Sequence, residues 1–414
     1  MLRLLISAAA LLSLRAGALD TVFVSSIPLS PAPLTAPSAE RPEFFDLDED
    51  LQVPTYLGEH ETAGPGEDGA PPPEYPTVRG VHLTSWVGGS TQSRTRFLDK
   101  LKGTVVNAVV IPLKESDGRV YVPGIEKAHE YGSERIAIPQ PRRMLADLRD
   151  RGLYTIARIV VFKDNVLPVK KPEWAIRDMD GGLWRNDKGL AWVDPYRREV
   201  WEYNLDIAVH AAELGFDEIQ FDYIRFPSDG KIKRCRYSRK DHSGSTSVEA
   251  MNEFLRYARK RLESHGVEMS VAVFGMTATA SDGLGIGQRI TDMIRLADHL
   301  SPMMYPSHYR KGAYGLKSPN HEPYKVIKYG LRDAKRQVGE NSYKLRPYLQ
   351  DFSLGVRYGP QQVLDQIRAA REHGIENWIL WNPVNRYNWD ALRFDPPRPD
   401  VSPPDERSPA PGRP

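Results

Sequence analysis

The stretch Gly215-Phe216-Asp217-Glu218-Ile219-Gln220-Phe221-Asp222-Tyr223-Ile224-Arg225-Phe226-Pro227 decides how this chain is read. Ile219, Phe221 and Tyr223 alternate with Glu218, Gln220 and Asp222, the period of two that marks a strand with unlike faces. In an open sheet the polar face would be solvated. In a closed parallel barrel it points to the axis, while the apolar face packs on surrounding helices. Asp222, the last inward residue, then stands at the carboxyl end of its strand, open to the cleft where barrel enzymes hold their chemistry.

Working outward, strand and helix patterns alternate along the chain. Strands are expected over 79–86, 105–113, 154–162, 217–224, 268–274, 299–305, 344–351 and 377–381. Helices are expected over 93–102, 141–151, 197–214, 248–264, 287–296, 324–338 and 361–373, with a stub after the last strand. This succession predicts a (β/α)8 TIM barrel, α/β in class, spanning 78–392 as a single domain. Segment 154–162 is apolar on both faces, so it reads as a central strand that carries Arg158 buried and paired. A doubly wound open sheet would want a glycine fingerprint after the first strand, and Gly88-Gly89-Ser90 does not supply one.

The ends differ in kind from the middle. Residues 1–19 combine Arg3, an apolar run and the small residues Ala16-Gly17-Ala18, the pattern of a cleavable signal peptide. Residues 20–77 are a proline-rich linker and 393–414 a proline-dense tail, both expected to be disordered. No segment is apolar over the roughly 20 residues that a membrane span needs. A single cysteine, Cys235, excludes an internal disulfide. Together these predict a secreted or periplasmic monomer. The 56 basic and 54 acidic residues nearly balance, so no global field favours nucleic acid. The basic run Lys231–Lys240 reads as a solvated loop.

Closing the barrel gathers its strand ends on one face. His82 and Trp86 arrive from the first strand, Lys114, Glu115 and Asp117 from the second, and Lys163 and Asp164 from the third. The fourth brings Gln220, Asp222 and Arg225; the sixth Tyr305, Ser307 and His308; the seventh Gln350 and Asp351; the eighth Trp381 and Asn382. Carboxylates and amides suit sugar hydroxyls, flat rings suit pyranose faces, and glycosidic cleavage needs two carboxyl groups. The expected substrate is therefore a polysaccharide or oligosaccharide. Asp222 is the expected nucleophile or base, with Arg225 beside it, and Asp351 or Glu115 the acid. His82, Trp86, Lys114, Asp164, Gln220, Arg225, Tyr305, His308, Gln350, Trp381 and Asn382 are read as substrate-binding, with Trp86, Tyr305 and Trp381 as flat platforms. No cofactor is implied, and His299 with His308 lacks metal-ligand spacing. Several of these residues also fit local duties. Asp164 and Asp351 could cap turns, Asp194 could organise a helix start, and Glu218 could pair with a lysine or arginine at the buried start of its strand. A barrel that binds carbohydrate without cleaving it is the alternative.

Further motifs carry a resemblance. They are Ile156-Ala157-Arg158-Ile159-Val160-Val161-Phe162-Lys163-Asp164, Trp192-Val193-Asp194-Pro195-Tyr196, the 215–227 element and Val273-Phe274-Gly275. Beyond them stand Ser301-Pro302-Met303-Met304-Tyr305-Pro306-Ser307-His308-Tyr309 and Arg346-Pro347-Tyr348-Leu349-Gln350-Asp351-Phe352. On these the chain resembles a bacterial, mostly secreted family of unknown function, described as a glycoside hydrolase domain and related to the α-amylase-like barrels. The resemblance covers most of 78–390 and implies a TIM-barrel glycosidase. Residues 215–222 are similar to the α-amylase pattern Gly-Phe-Asp-Gly-x-Arg-x-Asp, whose last aspartate is the nucleophile. Here Glu218 replaces the second glycine, and Gln220 replaces the arginine that supports that nucleophile. Phe274-Gly275-Met276 stands where those barrels keep a general-acid glutamate, and Pro112 where the resembled family usually has an aspartate.

Overall fold

The computed structural model describes residues 77–393; the signal-like segment, the linker up to residue 76 and the tail from 394 lie outside the described residues. Eight parallel strands close into a barrel. They are β1 (Arg79–His82), β2 (Ala108–Lys114), β3 (Tyr154–Val160), β4 (Glu218–Asp222), β5 (Glu268–Phe274), β6 (His299–Met303), β7 (Tyr348–Gln350) and β8 (Trp378–Trp381), with β8 pairing back onto β1. Helices Thr91–Leu101, Pro141–Arg149, Arg198–Leu214, Gly244–Leu262, Ile290–Leu296, Pro323–Val338 and Pro360–Glu372 follow β1 to β7 in turn, and a 3-10 turn, Trp389–Leu392, follows β8. Among the described residues no helix is long and apolar enough to cross a membrane.

Local chemistry sets the boundaries. Prolines open the helices at 141, 323 and 360, where their missing N–H is not needed. Ser243 and Thr246 form a reciprocal capping box at the start of Gly244–Leu262. Gly215, at φ 103°, ends the helix before β4 in the left-handed conformation that only glycine adopts without strain. The first strand is shorter than its sequence suggests. The Thr84 hydroxyl accepts the Val87 N–H and starts the short helix Ser85–Gly89, so Trp86 leaves the strand and stands on a helix.

The two faces of β4 divide the core. Ile219 and Phe221 face the helices, and the Phe221 ring meets Phe254 edge-on with centroids 5.3 Å apart. The other face lines the barrel axis in three polar tiers. At the bottom, Glu218 pairs with Arg346, both fully buried, and accepts hydrogen bonds from Ser270 and, at 3.2 Å, from Tyr154. In the middle, Gln220 donates to Ser270 at 3.1 Å and accepts from the Tyr348 hydroxyl. At the top stands Asp222. Val110, Ile156, Ala272 and Ile379 fill the space between these tiers.

Beyond β3 and β4 the chain adds a small antiparallel ribbon, Arg177–Asp178 with Cys235–Arg236. The basic run lies here. Arg234 pairs with Asp178 and Asp180, and Arg239 with Asp241 and Glu249, so neighbouring carboxylates offset much of its charge.

Two outcomes follow from this packing. Residues 77–393 expressed alone should unfold in one cooperative transition, because they contain the whole closed barrel; insoluble or non-cooperative material would assign a structural role to the flanking segments. Arg346→Ala should cost about 3–5 kcal/mol in urea unfolding, since it strands the Glu218 carboxylate in the barrel interior.

Candidate active site

The site begins with a change of backbone direction. Tyr223, directly after β4, adopts φ 52°, and its N–H donates to Asp222 Oδ1 at 2.7 Å. Asp222 Oδ2 accepts from Arg158 Nε at 2.9 Å and Nη2 at 2.6 Å. Arg158 comes from β3, where it is paired in register with Gln220, two residues below Asp222. An arginine absent from β4 is thus supplied by the neighbouring strand. Its Nη1 reaches Glu115 Oε2 at 2.9 Å. One guanidinium therefore holds two carboxylates. Arg158 lies 5.1 Å from the Trp381 ring, which stacks on His82 at 4.0 Å and 28°.

Arg225, expected beside Asp222, bonds within the turn after β4. After the left-handed Tyr223 the chain turns, and Arg225 Nη1 donates to the Phe226 carbonyl and the Ser228 hydroxyl, both at 3.0 Å. Its guanidinium lies 4.3 Å from the Phe274 ring centre and 4.8 Å from that of Trp192. Asp222 is also less open than its strand-end position suggested. Its side chain is 3% exposed, against 28% for Glu115. Asp222 lies under the opening and Glu115 on it.

The electrostatics separate the pair. Burial pushes the Glu115 carboxyl above the ordinary glutamate range; Arg158 opposes this, while the nearby charges of Asp117 and Asp222 add to it. Arg158 stays charged despite its burial, because Glu115 and Asp222 outweigh the loss of water. His82 is pushed down to about 3 by burial and then by Arg158, so its ring is neutral. Its Nδ1 sits 3.3 Å from the Asn382 carbonyl, which fixes the proton on that nitrogen and leaves Nε2 as a lone pair. That Nε2 is buried without a hydrogen-bond partner among the described residues.

The remaining predicted residues divide into an open rim and a closed frame. Trp86 is 49% exposed. It meets Tyr121 edge-on at 6.3 Å and lies under the Arg135 guanidinium at 5.3 Å, and Tyr121 in turn contacts Asp117 at 3.4 Å. Tyr305 and Trp381, expected as platforms, are 2% and 7% exposed and pack with Tyr348 and Phe352 in the inner cluster. Lys114 and Asp164 are fully buried and paired with each other at 2.8 Å. A register shift between Pro112 and Lys114 accompanies this inward placement, and Lys114 also donates to the Val160 carbonyl while Asp164 caps Val166 and Leu167. Neither offers an atom to the cleft. Gln220 lies one tier below it.

Gln350 accepts from Ser307 and donates to the Phe352 carbonyl. His308 hydrogen-bonds Ser307 and stays half-buried. Asn382 spans its own loop, donating to the Asp351 and Arg386 carbonyls and accepting from Val384 and Arg386 N–H groups. Asp351 turns both oxygens to Asn388 and so braces the loop after β8. Asp194 accepts from Tyr196 and Ser238 N–H groups, a turn-organising role. Among the described residues no group of three or more His, Cys, Asp or Glu is placed to hold a metal ion.

Residues 80–387 match the family described as "Putative glycosyl hydrolase domain", and the chain belongs to that family. No curated protein matches the sequence. Among solved structures, a hypothetical protein from Ruminiclostridium thermocellum is 38% identical, with 46% of this chain and 96% of that one covered and a TM-score of 0.41. The PgaB (BpsB) glycoside hydrolase domain from Bordetella bronchiseptica is 14% identical over 77% of this chain and 98% of its own, with a TM-score of 0.58. Alpha-L-fucosidase isoenzyme 2 from Paenibacillus thiaminolyticus is 13% identical over 77% of this chain and 48% of its own, with a TM-score of 0.52. The last two share the barrel fold with this chain.

Asp351 gives a pH test of the frame. Burial raises its pKa to about 7, against the opposing hydrogen bonds from Asn388. The folded state therefore holds this proton more tightly than the unfolded chain does, and the stability so gained is lost as pH rises from about 4 through 7. The stability difference between wild type and Asp351→Asn should shift by about 2–3 kcal/mol in favour of wild type at pH 5 relative to pH 8. A difference independent of pH, measured by chemical denaturation, would mean that Asp351 titrates as an ordinary carboxyl.

Proposed function

We propose that this glycosyl hydrolase family member cleaves a glycosidic bond in a bacterial polysaccharide or cell-wall glycan, with Asp222 as nucleophile or base and Glu115 as acid. The observation that carries this reading is the Arg158 guanidinium, hydrogen-bonded to both carboxylates at the mouth of the barrel. Two carboxyl groups with unlike environments are what glycoside cleavage requires. Burial shifts Glu115 upward, the direction that suits a group giving a proton to the leaving oxygen. Asp222 accepts on both oxygens and presents negative charge to the sugar carbon that becomes electron-poor as the bond breaks. Arg158 fixes the two groups relative to each other, so their separation is a property of the scaffold. A separation of roughly 5 Å gives retention, and roughly 6.5–9.5 Å leaves room for a water and gives inversion.

Substrate contacts come from the rim. Trp86 is the exposed ring for a pyranose face. The His82 Nε2 lone pair accepts a sugar hydroxyl, which would otherwise leave a buried acceptor unsatisfied. The signal-like residues 1–19 support export.

One observation favours a second reading, a barrel that binds carbohydrate without cleaving it. Both Asp222 oxygens are engaged, and its side chain is 3% exposed. Cleavage then needs the sugar to displace or reach past the groups above it.

Assays for new reducing ends on a panel of bacterial polysaccharides separate the two. Asp222→Asn and Glu115→Gln should each lower turnover by about 100-fold or more while glycan binding is kept. Turnover unchanged in both variants would remove the pair from the mechanism. Binding without cleavage by wild type across the panel would establish the second reading.

A further inference from the structure

The rim beside Glu115 carries a cation that has no carboxylate of its own. Past β2 the chain turns back as a hairpin. The Tyr121 N–H donates to the Leu113 carbonyl at 2.9 Å, and the Glu115 N–H to that of Arg119 at 3.2 Å. The segment that follows lies alongside, its Arg135 N–H donating to the Val120 carbonyl at 2.8 Å. The short helix Ser85–Gly89 packs on the same strand end. Ser85 Oγ donates to the Pro112 carbonyl at 2.6 Å. A Cβ on Gly89 would stand 1.9 Å from the Ala137 carbonyl oxygen, so only glycine lets this helix lie against the Arg135 segment. Trp86 and Arg135 are thus both anchored to the strand end that presents Glu115. Tyr121 completes the link: its ring meets Trp86 edge-on at 6.3 Å, and its hydroxyl lies 3.4 Å from Asp117, two residues beyond Glu115.

The Arg135 side chain is exposed, and its guanidinium lies 5.3 Å from the Trp86 ring centre. Among the described residues it makes no ion pair and no side-chain hydrogen bond. The neighbouring arginines differ in this respect. Arg119 donates to the Gly132 carbonyl at 2.6 Å, and Arg158 is shared by Glu115 and Asp222. An arginine that holds the rim together would spend its donors in the same way. The donors of Arg135 instead face the solvent, while the indole restrains their position. Its charge lies within electrostatic reach of the Tyr121 hydroxyl, as do those of Asp117 and Glu115.

We infer that Arg135 and Trp86 hold a uronate unit of the glycan beside the bond to be cleaved, with the sugar carboxylate on the guanidinium and the sugar ring against the indole. This specificity rests on the glycosidase reading above. A planar guanidinium offers two parallel donors, and a planar carboxylate fills both. The carboxylate of a uronate projects from the edge of its ring, so one unit can meet both groups. A neutral hydroxymethyl group in the same place forms a weaker, uncharged hydrogen bond, and an ammonium group is repelled. A phosphate or sulfate ester presents its oxygens as a tetrahedron and would want donors from more sides than one guanidinium supplies. Arg135 also offsets the repulsion that Glu115 and Asp117 would exert on an anionic sugar.

The Trp86 indole reports on this place directly. Indole-labelled tryptophan gives 8 N–H resonances in the full chain, and Trp86→Phe assigns one of them to Trp86. Glucuronate, galacturonate, glucose, galactose and glucose 6-phosphate are titrated in turn into the full-length protein at low salt. The inference expects the Trp86 signal to move with at least one uronate, at a Kd about tenfold or more below that of its neutral counterpart. In Arg135→Gln the two values should come within about twofold of each other. Equal affinity for charged and neutral sugars, tighter binding of glucose 6-phosphate than of either uronate, or no shift from either uronate up to tens of millimolar would overturn it. So would a preference that survives Arg135→Gln. The glycosidase reading fails separately: Asp222-dependent cleavage of a neutral glycan, unchanged in Arg135→Gln, would keep the catalytic pair and remove only this subsite. Arg135-dependent uronate binding with no cleavage of any acidic glycan would do the reverse.

Discussion

The Arg158 guanidinium is the constraint around which the mouth of this barrel is organised. It is 1% exposed, and a charge so removed from water is tolerated only with acceptors on its donors. The chain meets that demand with Asp222 from β4 and Glu115 just beyond β2, and sets Trp381 from β8 against the guanidinium. Three strands are thereby tied to β3 at one point, and the two carboxylates come to share a cation. The same device recurs deeper in the barrel, where Arg346 satisfies Glu218. The polar axis of the closed barrel is held by pairs within each tier, Glu218 with Arg346, Gln220 with Tyr348 and Ser270, Asp222 with Arg158, although Arg346 Nε and Nη1 have no partner among the described residues.

The same pairing sorts the carboxylates by task. Those that brace loops have their oxygens taken by backbone N–H groups or nearby amides, as Asp164, Asp194 and Asp351 do. Glu115 differs, because it is held by a single arginine contact and keeps more than a quarter of its side chain exposed. It also shares that arginine with another carboxylate, so its charge is resisted from two directions.

Much of the fold was legible because periodicity is local. The alternation in β4 and the unbroken apolar run of β3 reveal their places without knowledge of their neighbours, and the burial of Arg158 follows from the second. Its partners did not follow, because inward side chains of adjacent barrel strands meet through register. Register pairs Arg158 with Gln220 and brings its head up to Asp222. Arg225 looked nearer in sequence, and it bonds the Phe226 carbonyl and the Ser228 hydroxyl in the turn that follows the left-handed Tyr223. Lys114 and Asp164 were misread as cleft residues for a related reason: the register shift after Pro112 is not visible in composition. Asp351 found its partner at Asn388, 37 residues later, in a loop with no periodic signal.

The central claim is that Asp222 and Glu115 act on each other through one guanidinium, and the ionisation of Glu115 tests it most directly. A carboxyl-carbon NMR titration of labelled Glu115 should place its pKa above the ordinary glutamate range in the wild type. In Asp222→Asn it should fall, because the neighbouring negative charge is gone and Arg158 is left to Glu115 alone. A Glu115 titration that is ordinary in the wild type and unmoved by Asp222→Asn would contradict the account.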